Sequence, residues 1–438
     1  MRLNVKPHTP AQRNHNGAPS PAQSVNAKLA RSVLANMLFE GEFYEDGTSN
    51  AKRIADLVKQ ADPQFVNDLS LAARSAWKLR HVPLFLQVEQ LRNGRATAES
   101  IAAVIQRPDE MGEMISMYWK EKKVPLANQL KKGIAKAFVG FNEYQLAKHD
   151  SNSAAVSVRD VMFMVHPKPL DEKQEELFKR VANKAMVTPD TWETELSRGA
   201  DKCETFTRLM NEKKLGALAF IRNLRNMRDA NVSVDLISNY AETVNTDRVL
   251  PFRFIAAARQ VPMFSDMLER MMLKATASME KIPGKTRIYV DVSGSMFGTK
   301  VSSRSDLDRF DAAAALAVLC REICEEVEIL TFSESTVVVR HQDLHGMALV
   351  EALEKSQRHS GTYLGRAITD GTRALGVADR TIVFTDEQSS DVVPNPGTHG
   401  YIINVSSYDK GTIAYGDWVR ISGFSEVVLK YISLYEAI

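Results

Sequence analysis

The chain has 438 residues with 56 Lys and Arg against 54 Asp and Glu, and this formal net charge of +2 excludes a histone-like polycation. A content of 44% hydrophobic and 25% charged residues is typical of a globular protein, and the length favours two or more domains. The charge is uneven: residues 1–285 carry 42 basic and 33 acidic side chains, a net +9, whereas residues 286–438 carry 14 and 21, a net −7. This asymmetry indicates a polyanion as the partner of the first part.

The cysteines and the hydropathy pattern predict a cytoplasmic protein without a membrane partner. Cys203, Cys320 and Cys324 are too few for a disulfide framework and lack zinc spacing. We expect Cys320 and Cys324 to pack four residues apart in one buried helix. The first 25 residues have no apolar signal segment, and no stretch reaches the roughly 18 apolar residues of a membrane span.

The first 24 residues are rich in Pro, Asn, Gln, Ser and Ala and predict a flexible N-terminal arm. From about residue 25 the apolar residues recur at helical spacing, as in Leu130, Ile134 and Phe138. Proline-containing breaks separate the helices at intervals that suit helical hairpins: Asp62-Pro63, Val82-Pro83, Arg107-Pro108, His166-Pro167-Lys168-Pro169 and Pro189. We therefore predict an α-solenoid over residues 25–283, with repeats too diverged to detect in sequence.

After Ile282-Pro283-Gly284-Lys285 the pattern changes to alternating strands and helices, which predicts a doubly wound α/β domain over residues 284–438. The predicted strands are 286–292, 327–332, 336–340, 380–384 and 401–405, with residues 334 and 335 at a hairpin turn. The predicted helices are 306–324, 347–355, 363–375 and 425–436. Ligands of such folds bind at the carboxyl ends of the strands.

Oxygen ligands follow three of these strands or their connections. Asp291, Ser293 and Ser295 form a D-x-S-x-S run after the first strand, Thr362 follows Ser360-Gly361, and Asp386 follows the strand at 380–384. Asp and Ser are also common turn and capping residues, so the run alone is weak. In this order, two carboxylates and three hydroxyls make an all-oxygen set suited to one divalent ion, Mg²⁺ or Mn²⁺.

These loops resemble the von Willebrand factor A family and its metal-ion-dependent adhesion site. The resemblance covers roughly residues 284–438 and implies Asp291, Ser293, Ser295, Thr362 and Asp386 as direct or water-mediated metal ligands. It further implies one open coordination position for an acidic side chain of a partner. His359 is the only candidate general base in these loops, and a structural role is favoured for it over catalysis.

Basic side chains on the predicted helices suggest contacts with nucleic-acid phosphates. Lys132 and Lys136 lie one turn apart within residues 129–148, and Arg222, Arg225 and Arg228 recur at threefold spacing. Each cluster alone is more often a solvated helix face than a binding site. The combined charge of +9 in this part is what favours RNA.

Four segments together resemble the TROVE module, the ring-shaped helical domain of the Ro family: residues 38–47, 144–169, 214–227 and 250–257. This resemblance implies a ring of HEAT-like helical hairpins closed by the von Willebrand A domain. It implies small noncoding Y-like RNA on the outer surface, single-stranded 3′ ends of misfolded RNA in a central hole, and a nuclease or other RNA-processing protein as a further partner. In the stretch that matches the family's Y-RNA-contacting helix, residues 158–169, it implicates Arg159, His166 and Lys168, with Lys148 on the preceding helix. The segment DSNSAAVS, residues 150–157, departs from the family because it carries no basic residue.

Three functions follow as hypotheses. The first is a non-enzymatic RNA-binding scaffold of a ribonucleoprotein. The second is a metal-dependent protein–protein interaction module without RNA, in which the helices bind protein. The third, a metal-dependent hydrolase, requires a base and more carboxylates around the ion than these loops supply.

Overall fold

Helices occupy most of the chain from Val25 to Ala277, and a six-stranded sheet follows from Ile282. The structure is a computed structural model. It describes residues 12–13, 19–20, 24–35, 47–75, 77, 79–120, 122–150, 154–247, 249, 251–277, 279, 281–301, 307–340, 342–406, 418–422, 428–429, 432 and 436. Within the predicted N-terminal arm, two short strands pair antiparallel, β1 (Gln12–Arg13) with β2 (Pro19–Ser20); the rest of that arm up to residue 23 lies outside the described residues.

We call residues 25–277 the helical array. Its helices are α1 (Val25–Ala35), α2 (Gly47–Gln60), α3 (Pro63–Ser75), α4 (His81–Arg92), α5 (Ala98–Val104), α6 (Pro108–Tyr118), α7 (Asn128–Phe138), α8 (Glu143–His149), α9 (Val158–Val165), α10 (Glu172–Ala182), α11 (Trp192–Ser197), α12 (Lys202–Asn211), α13 (Ala217–Asp229), α14 (Val234–Thr243), α15 (Pro251–Gln260) and α16 (Ser265–Ala277). Many helices pack on the next helix but one, as in α3 on α5, α5 on α7 and α12 on α14. This is the contact pattern of stacked helical hairpins, so the predicted helix-rich first part is confirmed.

Local sequence signals set the helix ends of the array. Pro63 and Pro108 each occupy the first helical position, where the missing N–H is not needed. Asn142 and Ser157 cap α8 and α9 by accepting backbone N–H bonds from the residues three positions later. His166 ends α9 in the left-handed region, with φ of 49°. These signals explain why the predicted breaks fall close to the observed ones.

We call residues 282–436 the sheet region. Its elements in chain order are β3 (Ile282–Asp291), α17 (Arg309–Ile323), β4 (Cys324–Phe332), β5 (Thr336–Val338), α18 (Gly346–Glu354), α19 (Leu364–Leu375), β6 (Arg380–Thr385), β7 (His399–Asn404) and β8 (Trp418–Ser422). The strand order is β5-β4-β3-β6-β7-β8, and every pair is parallel except the β4–β5 hairpin. Apolar residues fill both faces of the sheet: Ile288 packs in the cluster that contains α17, and Tyr289 in the one that contains α19 residues. The prediction of an α/β region is therefore confirmed as far as the mostly parallel sheet and its packed helices.

Two elements of the sheet region differ from the sequence prediction. Cys324 is not in the buried helix with Cys320; its backbone is extended, and it opens β4 directly after Ile323. The strand β8 was not predicted. The final predicted helix, residues 425–436, lies mostly outside the described residues, although Val428 and Glu436 are described as helical.

Both ends of the helical array contact the sheet region. At one end α1 packs against β8, and at the other α15 and α16 pack against α17. Among the described residues, no helix has the length and apolar character needed to cross a membrane.

The start of α19 is packed too tightly for a larger residue at position 365, which gives a first testable prediction. A Cβ on Gly365 would lie 2.0 Å from the carbonyl oxygen of Val392, a backbone atom that cannot rotate away. We expect Gly365→Ala to lower the free energy of unfolding by about 1–3 kcal/mol. Urea denaturation measures this, with Gly216→Ala as the control because its added methyl meets open space. Equal stability of the two variants would contradict the packing argument.

Candidate functional site

The predicted metal ligands lie at the carboxyl edge of the sheet, where the central strand β3 runs between β4 and β6. Asp291 ends β3, and Asp386 directly follows β6. Both carboxylates are fully buried, because hydrophobic side chains precede each of them along its strand. Parallel neighbouring strands bring their ends to the same edge, so two carboxylates far apart in sequence meet here.

Hydrogen bonds connect four of the five predicted ligands. The Asp291 carboxylate accepts from the Ser293 backbone N–H at 2.9 Å and from the Thr385 hydroxyl at 2.6 Å. The Ser293 and Ser295 hydroxyl oxygens lie 3.4 Å apart, and the Ser295 hydroxyl bonds to Asp386. These bonds bring the side chains of the D-x-S-x-S run close to one another and to Asp386; that they hold a metal ion stays a prediction.

Electrostatics make this edge favourable for a cation. Burial, together with the nearby charge of Asp386, raises the pKa of Asp291 to about 7. Burial also raises the pKa of Asp386, which Arg309 partly offsets through a hydrogen bond of 3.1 Å from its Nη1. Two buried carboxylates with raised pKa values are costly to ionise together, and a divalent ion would remove that cost. The donor set thus fits Mg²⁺ or Mn²⁺.

Thr362 lies in a loop bonded to its neighbours on both sides. Its carbonyl accepts from the Ser390 N–H, and the Ser360 carbonyl, two residues earlier, accepts from the Gly294 N–H at 3.1 Å. This loop is therefore held beside the D-x-S-x-S run. His359, the candidate base, packs edge-on against the ring of Phe297 with centroids 4.0 Å apart; this contact agrees with the structural role that the sequence favoured.

Arg309 and Glu387 were missed by the sequence reasoning, and both bear on this edge. Arg309 begins α17, is fully buried, and bonds Asp386. Glu387 follows Asp386 with a left-handed φ of 59° and forms buried ion pairs with Arg31 of α1 and Arg420 of β8. We call Arg31, Glu387 and Arg420 the junction triad, because it joins the first helix of the array to the sheet region.

The six predicted RNA-binding side chains lie on or beside α7, α8 and α9. All are exposed except Arg159, which is half-buried: Lys132, Lys136, Lys148, Arg159, His166 and Lys168. Lys136 lies 3.7 Å from Glu99, whereas the other five form no ion pair with any described residue. Arg222, Arg225 and Arg228 are exposed on α13. We call the surface formed by Tyr144, Lys148, Arg159, Phe163, His166 and Lys168 the α8–α9 surface.

Tyr144 and Phe163 of the α8–α9 surface were also missed. Each is exposed and has a cation over its ring: Lys148 Nζ lies 5.7 Å from the Tyr144 centroid, and Arg159 Cζ lies 4.9 Å from the Phe163 centroid. The signal was present in the sequence, since each aromatic residue stands four positions from its cation within a helix.

Comparison with known proteins supports the sequence resemblance. Residues 179–280 match the TROVE domain family; this range includes two of the four resembling segments. No curated protein sequence matches the chain. Among solved structures, the fold is similar to the crystal structure of the Deinococcus radiodurans Ro protein (RSR), with a TM-score of 0.64 and 15% sequence identity, covering 92% of this chain and 97% of that chain. The two findings together confirm the resemblance to a Ro-like TROVE protein, whereas the von Willebrand factor A part of the resemblance stays a prediction: the fold is similar to that of a Ro protein, and residues 179–280 match the TROVE domain.

Proposed function

We propose that the protein is an RNA-binding scaffold of a ribonucleoprotein, without catalytic activity of its own. It binds a small noncoding Y-like RNA on the α8–α9 surface and neighbouring α7, and single-stranded ends of misfolded RNA in a central hole. Its role is noncoding RNA quality control or processing, with a nuclease or other RNA-processing protein as partner. The single observation that carries this proposal is a set of four exposed or half-exposed cations on or beside α7, α8 and α9 that form no ion pair with any described residue: Lys132, Lys148, Arg159 and Lys168.

These cations differ from the cations of the helical array that pair with carboxylates. Arg74, Arg180 and Arg208 each bond a carboxylate, so their charge is already neutralised within the protein. Lys148 and Lys168 keep their full charge available for phosphate oxygens. Contacts of this kind release counterions from the nucleic acid, and the resulting affinity falls steeply with salt.

The proposed domains are a TROVE-like RNA-binding domain over residues 25–283 and a von Willebrand factor A-like domain over residues 284–438. The contacts of α1 with β8, and of α15 and α16 with α17, support a ring, because they bring both ends of the array to the sheet region. In this proposal the hole admits single strands only and acts as a size filter.

The sheet region holds one divalent ion in this proposal, Mg²⁺ or Mn²⁺. Asp291, Ser293, Ser295, Thr362 and Asp386 would hold it, directly or through water. The ion would present an open position to a carboxylate of a partner protein or to a phosphate. The buried pair of carboxylates with raised pKa values supports this assignment.

The proposal is tested by RNA affinity. We expect the double variant Lys148→Ala/Arg159→Ala to bind a stem-containing RNA on the order of tenfold more weakly at low salt, because two phosphate contacts are lost. The slope of the plot of log affinity against log salt concentration should become less steep by about 1.5–2. A gel shift over a salt series measures both quantities.

The matched control removes the same charge elsewhere. Lys355→Ala/Arg373→Ala lies in the sheet region, where both cations are exposed and paired with Glu351 and Asp370. This variant should bind RNA as the wild type does. If both double variants lose the same RNA affinity, the loss reflects a non-specific effect of net charge and not contacts at the α8–α9 surface. Absence of RNA binding by the wild type, combined with Mg²⁺-dependent binding of an acidic partner, would favour the protein-interaction module instead.

A further inference from the structure

We infer that Tyr144 and Phe163 stack on unpaired RNA bases, so that the α8–α9 surface binds a single-stranded segment beside a stem rather than a continuous duplex. This inference rests on the proposed RNA-binding function and narrows its substrate class. It assigns the two side chains a role that differs from phosphate contact, because an aromatic ring offers a flat π surface on which any base can stack.

The exposed aromatic rings lie on two helices, α8 and α9, and each has a cation over it. Ten large hydrophobic side chains are exposed in the described part of the chain, and only two of them are aromatic, Tyr144 and Phe163. Their exposed fractions are 52% and 48%. The other eight are aliphatic and are distributed over both regions of the fold. Chance exposure would not be expected to place both rings among the predicted phosphate-binding cations.

Core packing does not explain Phe163. The buried face of α9 is already formed by Val161, Met162 and Val165. Phe163 lies on the opposite face with Arg159 and His166, which stand at positions i−4 and i+3 relative to it and so form one stripe along the helix. At such a position the ring adds little to the core, and its exposed face is accessible to a base.

The helices that carry the two rings are both hydrogen-bonded to the last turn of α10. Arg180 of α10 bonds both oxygens of Glu143, the residue before Tyr144, at 2.9 Å. The carbonyl of Ala182, two residues further along, accepts from Arg159 Nε at 2.7 Å. Each ring is thus held on a helix that the same turn anchors. A surface that needs little reordering on binding is suited to stacking.

The chemistry of each ring–cation pair matches one nucleotide of a single strand. A cation near a ring can contact a phosphate while the ring contacts the base, and both groups are present in every unpaired nucleotide. In an A-form duplex the base faces are covered by neighbouring bases, and only phosphates and 2′-hydroxyls are accessible along the stem. The cations could also contact the phosphates of a duplex, whereas the rings could not stack on base faces that are already covered.

The test compares two RNAs and two ring variants. One RNA is a fully paired stem, and the other is the same stem with an unpaired tail that carries 2-aminopurine, whose fluorescence falls on stacking. We expect Phe163→Leu and Tyr144→Leu each to weaken binding of the tailed RNA by about 5- to 150-fold, the range for loss of one stacked base. The 2-aminopurine quenching seen with wild type should disappear. Binding of the fully paired stem should change less than twofold.

Leucine keeps apolar bulk on each helix, so the variants should fold; circular dichroism verifies this. Val377→Ala, which removes exposed apolar surface between α19 and β6, is the control and should leave both affinities unchanged. Equal weakening of both RNAs, or unchanged affinity for the tailed RNA, overturns the stacking assignment while leaving the RNA-binding proposal intact. If wild type binds neither RNA, both the proposed function and this inference fail.

Discussion

Replacing Glu387 with alanine is expected to lower the free energy of unfolding by about 3–5 kcal/mol, because it leaves two buried arginines without their carboxylate. Glu387 is fully buried, and the side chains of Arg31 and Arg420 are only 6% and 3% exposed. Both Nη2 atoms lie 2.6 Å from Glu387 Oε2. Burial alone would raise the pKa of Glu387, but the two guanidinium charges hold it below the ordinary value.

Because the junction triad joins α1 to the sheet region, loss of its carboxylate should affect more than the immediate surroundings of Glu387. Arg31 belongs to the first helix of the array, whereas Glu387 and Arg420 belong to the sheet region. Loss of the carboxylate should therefore loosen α1 first. We expect faster hydrogen exchange across residues 25–35 in Glu387→Ala than in wild type, together with the loss of stability in urea denaturation.

Two further variants make the prediction specific. Glu387→Gln keeps the shape and a hydrogen-bonding oxygen but removes the charge, so its stability should fall between those of wild type and Glu387→Ala. Glu351→Ala removes an exposed carboxylate that pairs with Lys355, and it should leave unfolding unchanged. Wild-type stability and wild-type exchange in Glu387→Ala would show that the junction triad does not hold α1 in place.

The parts of this fold that the sequence predicted depend on periodic or local patterns. The apolar spacing of Leu130, Ile134 and Phe138 indicated α7 because one helix face alone is buried there. Prolines marked the breaks between several of the helices. The D-x-S-x-S run indicated the edge of the sheet because Asp291 ends a buried β-branched strand and can only emerge at its carboxyl end.

What could not be predicted depends on contacts between residues distant in sequence. Glu387 and Arg31 are 356 positions apart, and no periodicity links them. Nothing in the local sequence distinguishes Arg309 from other charged residues near the start of a helix. Only the fold brings Asp386 to its guanidinium. Cys324 fits the helical pattern of Cys320, yet pairing of β4 with β3 takes it into the sheet, a tertiary override of local preference. Phe163 looks like a core residue of α9 until its exposure is seen.

The metal proposal leads to a prediction in which one substitution has opposite effects with and without the ion. Without divalent ions, we expect Asp291→Asn to be more stable than wild type by about 2–4 kcal/mol at pH 8. Burial and the charge of Asp386 raise the pKa of Asp291 to about 7, well above its unfolded value. A carboxyl whose pKa is raised by folding favours the folded state when protonated, so this stability is present at about pH 4 and lost by about pH 7. Asparagine cannot ionise and keeps its stability over that range.

Addition of Mg²⁺ should reverse the order of the two proteins. An ion at 1,000 times its dissociation constant stabilises the wild type by about 4.1 kcal/mol, which exceeds the deficit of about 2–4 kcal/mol, whereas Asp291→Asn should gain little. Thermal unfolding from pH 4 to pH 8, in chelator and in Mg²⁺, measures both effects. Thr362→Ala is the companion variant: it keeps both carboxylates, so it should keep the wild-type pH profile in chelator and lose part of the Mg²⁺ response. An equal Mg²⁺ response in wild type and Asp291→Asn would exclude an ion at this edge, because the stabilisation by Mg²⁺ would then not depend on the carboxylate at the end of β3.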